Sequence, residues 1–260
     1  MSARGNAEIF LEPYDNCHSF GPERRINWPA QMGSSELHND WQTYGYTKAL
    51  LDGDYPDAEI VFVKDMAFAI HDKYDMLPAG YRHTFIVRDP VKVWVAYHKR
   101  IKQLLVRGGG TTDGLDVQGD LEGYASPTSV FQASFDLMEY ARTELHQSPI
   151  VIDADDLADR PEATLRQYCS AVGIPYKEAM LDFVSSENAK EGVDRKWHCS
   201  KFFSWGGERG GFYAKAMGSK GFARDQKQYR ISDLPPVVVE CAARSQEWYK
   251  KMYALRLKPE

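Results

Sequence analysis

The stretch HTFIVRDP, residues 83–90, decides the fold class together with the segment that follows it as far as Val106. Its apolar run ends in a cation and an Asp-Pro step, and the apolar residues after Pro90 recur at three- and four-residue spacing. This order predicts a buried strand, a tight turn and a helix. Asp89 is placed to cap the helix, and Pro90 suits its first position because no backbone donor is lost there.

Arg88 therefore stands where a strand ends and a helix begins. Open α/β sheets usually bind ligands at the carboxyl ends of their strands, and the free N–H groups of a helix start favour anions. The turn thus predicts a site for a phosphate or sulfate group. The alternative is structural, with Arg88 paired to a carboxylate such as Asp89 or Glu12.

Further apolar runs and helical spacings surround this turn. Strands are predicted at Ala7–Leu11, Ala58–Phe68 and Pro149–Asp153. Helices are predicted at Trp41–Leu51, at Pro127–Gln147, from a capping box at Asp159 to Val172 before Gly173, and after a Ser232 cap near the C-terminus. Residues 14–40 are polar, carry only a weak helical pattern and are expected to form a long loop.

Strand, helix and strand in succession imply parallel pairing with right-handed crossovers. The chain is therefore expected to be an α/β protein with three layers, α/β/α, around a mainly parallel central sheet. We expect a single domain over residues 1–260, because no linker divides the sequence. The glycine-rich segment 107–126 is either a lid or a plain insertion, and segment 187–225, rich in Gly, Lys and aromatics, is either a substrate-covering flap or packed structure.

Composition excludes several functional classes. The net charge of −5 argues against a nucleic-acid-binding surface, which usually carries a basic excess. The four cysteines include no CxxC pair, so neither a metal site nor a disulfide framework is expected. No apolar run approaches the roughly 18 residues of a membrane span, and no leader follows Met1. A soluble, cytoplasmic protein is expected, and a homo-oligomer stays open.

Four local segments, in matching order over residues 7–225, resemble the sulfotransferase superfamily, a branch of the P-loop nucleotide-binding fold, and in particular its small bacterial and fungal members. The segments are Glu12-Pro13-Tyr14, Val63-Lys64-Asp65-Met66, Arg88-Asp89-Pro90, and Asp155-Asp156-Leu157 followed by Pro161 and Gly173.

The resemblance implies an activity and a set of site residues. Such proteins move a sulfuryl group from 3′-phosphoadenosine 5′-phosphosulfate (PAPS) to a hydroxyl or amine of a small acceptor, without a metal. Arg88 would contact the 3′-phosphate, since its planar fork matches an oxyanion. The residues of a late basic loop would close over that phosphate: Ser219, Lys220, Gly221, Phe222 and Arg224. The reacting centre would be lined by Lys64, Asp65, His71 and Glu12.

One family element is not found in the sequence. The phosphosulfate-binding loop, of the form Pro-(Lys/Arg)-Ser-(Gly/Thr)-(Ser/Thr)-(Thr/Ser), would precede Glu12, and residues 1–7 contain none. Three alternatives follow. The chain is a cyclase, isomerase or hydrolase that uses Glu12, Asp65 or His71 as acid–base groups; it is a non-catalytic binding protein; or translation begins upstream of Met1.

Overall fold

A computed structural model of the chain describes residues 7–26, 28, 34–107, 126–182, 197–199, 219, 221–223 and 227–259. The strands in these ranges are β1 Ala7–Leu11, β2 Ile60–Lys64, β3 Phe85–Val87, β4 Val151–Asp153 and β5 Trp197–Cys199. The α-helices are α1 Pro13–Phe20, α2 Tyr44–Leu51, α3 Pro90–Arg107, α4 Ala133–Thr143, α5 Ala154–Asp159, α6 Pro161–Val172 and α7 Pro236–Ala254.

All the strand pairs described are parallel. One sheet has the order β2-β1-β5, with Ala7 opposite Ile60 and Leu11 opposite Lys64. The other sheet joins β3 to β4, with Phe85 opposite Val151. Helices connect these strands in sequence, which confirms the predicted α/β class and the parallel pairing; in the described residues the sheets are small.

Both sheets contribute to one core. The cluster of buried apolar side chains includes Phe10 from β1, Phe85 and Val87 from β3, and Val151 from β4. The C-terminal residues close the far edge of the second sheet, because the Leu257 amide donates to the Val151 carbonyl at 2.8 Å.

Helix α7 packs on α3 and fixes the position of the helix that follows the organising turn. The buried Trp94 indole of α3 donates from Nε1 to Ser245 Oγ of α7 at 2.9 Å. Because the indole N–H has an acceptor in the interior, burying it does not incur the free-energy cost of an unpaired donor. This packing fixes helix α3, and with it the carboxyl end of β3, from which the helix starts.

The turn after β3 forms as the sequence predicts. Helix α3 starts at Pro90, and Asp89 Oδ1 accepts from the Val91 amide at 2.9 Å and from the Lys92 amide at 3.2 Å. Helix α6 ends as predicted at Gly173, which has φ 76°. That left-handed conformation is readily adopted only by glycine.

The largest correction concerns the loop expected over residues 14–40, because residues 13–20 form helix α1. All eight of its residues are buried, including polar ones. Several of these polar side chains find partners inside the protein: Asn16 bonds Gln42, and Ser19 donates to Asp15 at 3.0 Å. A helix buried on every side has no apolar stripe, so a search for helical periodicity misses it.

Two predicted helix caps are wrong. Helix α6 begins after Arg160 with no side-chain cap bond, and Asp159 instead ends the short helix α5, which was not predicted. Ser232 lies in a 3₁₀ turn, Ile231–Asp233, and α7 begins after Pro235. In both places proline at the helix start fixes φ without needing a side-chain acceptor.

Other segments differ in extent. The helix predicted at Pro127–Gln147 consists of a π-helical turn, Thr128–Gln132, and the shorter α4. The predicted lid lies outside the described residues apart from its two ends, and so does most of the predicted flap. Within that flap segment β5 pairs with β1, although no strand was predicted there. No helix in the described ranges is long and apolar enough to cross a membrane.

Candidate functional site

Glu12 links β1 to α1 at the carboxyl end of the first sheet. Its amide donates to the Lys64 carbonyl at 2.7 Å, which extends the β1–β2 ladder by one residue. Its backbone then turns into the left-handed region, with φ 55° and ψ 47°, and Pro13 begins the helix. The residue is buried, 3% exposed. A carboxylate this deeply buried needs a partner.

Lys64 provides that partner from the end of β2. Its Nζ forms an ion pair with Glu12 Oε1. The lysine side chain is 43% exposed, while that of Glu12 is 4% exposed. The ion pair therefore consists of a buried carboxylate and an ammonium group that solvent can reach. The structure thus brings together two residues that the sequence analysis named as candidates.

Asp65 sits at the start of helix α1. Its carboxylate accepts from the amides of Tyr14 at 2.6 Å, Asp15 at 3.1 Å and Met66 at 2.8 Å. The first two are free N–H groups of the helix N-terminus, where anions are favoured. Burial raises the pKa of Asp65 to about 7, while the amides of Tyr14 and Met66 oppose the rise.

Asp15 was missed by the sequence analysis because residues 14–40 were expected to form a loop. It is 1% exposed and accepts from Ser19 Oγ at 3.0 Å. Burial, then repulsion from Glu12 and Asp65, raises its pKa well above the usual range. The only sequence signal was an acidic residue three positions after Glu12.

Glu12, Asp15 and Asp65 together form what we call the carboxylate cluster. Tyr97 of α3 also lies within its electrostatic reach, because burial and then Asp15 and Glu12 raise the pKa of that phenol. Asp65, whose pKa is raised to about 7, lies in this cluster with the partly exposed Lys64 beside it, and is suited to holding or releasing a proton near neutral pH. Within the described ranges, no three His, Cys, Asp or Glu side chains are placed to hold a metal ion.

His71 occupies a different place. It follows the 3₁₀ helix Ala67–Ile70, and its ring nitrogens lie 3.4 Å from Asp72 Oδ1 and 3.4 Å from Asp136 Oδ2. No interaction found in the described part of the chain joins this ring to Lys64 or to the carboxylate cluster. His71 is therefore not brought together with the other three predicted catalytic residues.

Arg88 and Lys92 place two cations at the carboxyl end of the second sheet. Both face Asp155 in the first turn of α5: Arg88 Nε lies 3.9 Å from Oδ1 and Lys92 Nζ lies 2.8 Å from Oδ2. Asp155 is thus a carboxylate that approaches Arg88. Lys92 was not among the predicted site residues, although it lies one helical turn after Arg88.

Three helix starts at these strand ends already carry a carboxylate. Asp65 accepts amides of α1, Asp89 accepts amides of α3, and Asp153 Oδ1 accepts the α5 amides of Asp155 at 2.9 Å and Asp156 at 3.0 Å. An anionic ligand at this edge therefore has to be held by side-chain cations, chiefly Arg88 and Lys92.

The late basic loop is described only in part. Ser219 Oγ donates to the Gly221 carbonyl at 3.0 Å, and a Cβ on Gly221 would meet the Leu181 carbonyl at 3.7 Å. Phe222 is partly buried, while Lys220 and Arg224 lie outside the described residues. The closeness of this loop to Arg88 stays a prediction.

Comparison with known proteins finds a family model that matches part of the chain. Residues 132–224, about a third of the chain, match the family model of the sulfotransferase domain. This span contains α4, β4, α5 and α6 and reaches the late loop, whereas Glu12, Lys64 and Arg88 precede it. The match confirms that the chain is sulfotransferase-like over these residues.

Two other searches add less. A sulfotransferase domain from the curacin biosynthetic pathway is 14% identical, with a TM-score of 0.35, over 74% of this chain and 82% of that chain. This likeness is too loose to place individual site residues. A search of curated proteins finds no significant match.

Proposed function

We propose that this sulfotransferase-like chain is an enzyme that transfers a sulfuryl group from PAPS to a hydroxyl or amine of a small organic acceptor. The observation that carries the proposal is the family match over residues 132–224. That span includes the Asp155-Asp156-Leu157 run and the Ser219–Phe222 loop, the two segments through which the sequence resembled the family downstream of Arg88.

In this proposal Arg88 and Lys92 hold the 3′-phosphate. Arg88 offers a bidentate fork and Lys92 a point charge, while the α3 amides take no part because Asp89 occupies them. Asp155 holds both cations in place and must share them with the phosphate. Ser219, Lys220, Gly221, Phe222 and Arg224 are proposed to cover the same group.

The reacting centre is proposed at the carboxyl end of β2. Bound PAPS would supply the sulfuryl group and leave as adenosine 3′,5′-bisphosphate. Lys64 would neutralise charge on the transferring oxygens, and Glu12 would fix the ammonium group. Asp65, whose pKa is raised to about 7, would accept the proton of the acceptor as the new bond forms, S–O for a hydroxyl or S–N for an amine, and the S–O bond to phosphate breaks.

Calorimetry with adenosine 3′,5′-bisphosphate tests the donor site directly. Removing one charge-assisted contact costs about 1.5–3 kcal/mol, so Arg88→Ala should weaken binding roughly 10- to 100-fold. Arg142→Ala is the matched control, because Arg142 lies exposed on α4 and pairs with Glu139 one helical turn away. If the unaltered chain gives no binding heat, donor binding is wrong.

The carboxylate cluster favours a second candidate, an acid–base enzyme of another class such as a cyclase, isomerase or hydrolase. Its supporting observation is that Asp15 and Asp65 both have raised pKa values beside the solvent-reaching Lys64. A metabolite screen without PAPS separates the two candidates. Turnover lost in Asp65→Asn, but retained in Arg88→Ala, would favour the second.

A further inference from the structure

The C-terminal segment, residues 256–259, lies beside β4 and is joined to the helices that follow that strand. Arg256 forms a parallel bridge with Val151, and the next amide donates to the Val151 carbonyl at 2.8 Å. Two later carbonyls of the segment accept from Gln167 of α6, at 2.8 Å, and from Arg160 between α5 and α6. These bonds fix the segment along the edge of the second sheet.

The side chain of Arg256 pairs with Asp156 in the first turn of α5. Arg256 Nε donates to Asp156 Oδ2 at 3.0 Å, and the two side chains are 20% and 22% exposed. The guanidinium also donates to the Tyr253 carbonyl at 3.2 Å and lies 3.7 Å from the centroid of the Tyr253 ring. Arg160 places a second cation 3.6 Å from Asp156 Oδ1. The Asp156 carboxylate is therefore held at both of its oxygens.

Asp155, the preceding residue, contacts the cations of the anion site. Its carboxylate lies 2.8 Å from Lys92 Nζ and 3.9 Å from Arg88 Nε. The amides of Asp155 and Asp156 both donate to one atom, Asp153 Oδ1, at 2.9 and 3.0 Å. Successive side chains of a helix point roughly 100° apart. Because the two residues share this cap and this helical turn, fixing the direction of one side chain also fixes the direction of the other.

We propose that Arg256 is a positioning residue that keeps Asp155 on the two cations of the anion site and thereby lowers their affinity for a phosphate or sulfate group. The proposal rests on the proposed function, because it concerns the same anion site. By holding Asp156, the arginine fixes the first turn of α5, so an incoming anion competes with a carboxylate that cannot move aside. A weaker hold on the leaving bisphosphate speeds its release, a step that limits turnover in many enzymes.

The sign of the effect distinguishes positioning from structural support. If Arg256 only stabilised the edge of the second sheet, its loss would weaken anion binding or leave it unchanged. If it positions Asp155, its loss lets the carboxylate leave the cations, and an anion then binds more tightly. Arg256→Gln removes the charge and Arg256→Lys keeps it, so the lysine variant should behave like the unaltered chain.

Acetylation of Lys92 in the full chain tests the positioning without any nucleotide. A lysine whose Nζ is held by a carboxylate reacts more slowly with acetic anhydride, and mass spectrometry gives its rate relative to Lys99, an exposed lysine of α3. Arg256→Gln should raise the Lys92 rate about two- to fivefold, as expected for the loss of an ion pair, and Asp155→Asn should do the same. Arg244→Gln is the control, because Arg244 lies exposed on α7, 3.8 Å from a neighbouring glutamate.

Calorimetry with adenosine 3′,5′-bisphosphate measures the effect on the anion site itself. Arg256→Gln should bind the bisphosphate several-fold more tightly than the unaltered chain at low salt. The double variant with Asp155→Asn should bind no more tightly than Asp155→Asn alone, because the arginine acts through that carboxylate. Asp156→Asn breaks the same link from the other side and should reproduce both the faster acetylation and the tighter binding.

Two results overturn the proposal. One is an unchanged Lys92 acetylation rate in both Arg256→Gln and Asp156→Asn. The other is weaker or unchanged bisphosphate binding in these variants when the unaltered chain binds normally. If neither the variants nor the unaltered chain gives binding heat, the donor site is wrong, and the acetylation rates then decide by themselves whether Arg256 positions Asp155.

Discussion

Asp65, the residue after strand β2, caps helix α1. The bond from the Tyr14 amide to Asp65 spans 51 residues of sequence. Sequence reasoning finds caps because the acceptor normally lies next to the helix, as Asp89 does for α3. It named Asp65 as a candidate through family resemblance, but neither its capping role nor Asp15 followed from local pattern. The three residues of the carboxylate cluster lie close together only because the chain folds, and no local sequence pattern indicates this.

The raised pKa of Asp65 should make stability depend on pH. The folded chain holds this proton up to about pH 7, whereas an Asp carboxyl with the ordinary pKa of 3.8 releases it near pH 4. The contribution of Asp65 is therefore complete below about pH 4 and is lost as pH rises to about 7. Asp65→Asn should flatten the fall in unfolding free energy over that interval, measured by urea unfolding at pH 5, 6 and 7.

The pKa of Asp15 is also raised. In Asp65→Asn the fall of the unfolding free energy with pH should therefore be less steep, but it should not disappear. The control is Asp75→Asn, at an exposed position in the 3₁₀ turn Tyr74–Met76, which should keep the original slope. Identical slopes in all three proteins would show that Asp65 titrates normally in the folded state.

Asp155 should limit anion affinity at the second sheet. It lies within 4 Å of both Arg88 and Lys92, so a bound anion competes with it. Asp155→Asn should strengthen binding of adenosine 3′,5′-bisphosphate several-fold at low salt, and the gain should shrink as salt rises. Asp182→Asn, at an exposed position, serves as control. Weaker binding in Asp155→Asn would mean that the carboxylate orients the cations more than it competes.

At the scale of elements, the strand–turn–helix at residues 85–107 was predictable because its signals are adjacent. An apolar run, a capping carboxylate, a proline and helical spacing occur within a few residues of one another. Helix α1 was not predictable in the same way. Gln42 bonds its Asn16 side chain and Asp65 accepts from its first amides, and the sequence places both of these residues far from the helix.

The Asp89 cap should contribute measurably to stability. Asp89→Ala removes two hydrogen bonds at the start of α3 and should cost about 0.5–2 kcal/mol of unfolding free energy. Chemical denaturation measures this loss, and Asp40→Ala at an exposed position outside the helices should cost less. Equal losses would mean that the helix start is held by packing alone.

Two glycines should respond in opposite directions to the same substitution. Gly173 has φ 76°, so Gly173→Ala should destabilise the chain by about 1 kcal/mol although the space beside it is open. Gly45 lies in α2, where an added Cβ would lie 3.9 Å from Thr43 Oγ1, so Gly45→Ala should stabilise by up to about 1 kcal/mol. Thermal and urea unfolding of both variants measure the difference, and effects of the same sign would contradict the backbone argument.

At the scale of the molecule, the α/β class followed from the order of apolar runs and helical spacings. The pairing of strands did not follow, because pairing depends on contacts between distant segments. β5 shows this clearly: Trp197–Cys199 lies in a segment without periodicity, yet it pairs with β1 through Ile9, Phe10 and Leu11. The division of the described strands into two ladders was likewise beyond local pattern.

Ligand binding should stabilise the whole chain if the donor site is correct. A ligand at 100 times its dissociation constant adds about 2.7 kcal/mol, which raises the Tm of a protein of this size by roughly 5–10 °C. Adenosine 3′,5′-bisphosphate should produce this shift in differential scanning fluorimetry. Adenosine, which lacks both phosphates, should produce little, and equal shifts would rule out phosphate recognition.

The residue at position 12 has to adopt a left-handed backbone conformation and also form an ion pair with Lys64. Few amino acids are suited to both. The left-handed backbone of Glu12 costs roughly 1–2 kcal/mol and would be relieved by glycine, while asparagine or aspartate tolerate it better than glutamate. Each of these replacements is too short, or uncharged, to keep the ion pair that Glu12 forms with Lys64. Selection for a more stable chain and selection for the intact pair therefore pull this residue in opposite directions. Among related sequences, replacements at position 12 and at position 64 should consequently occur together.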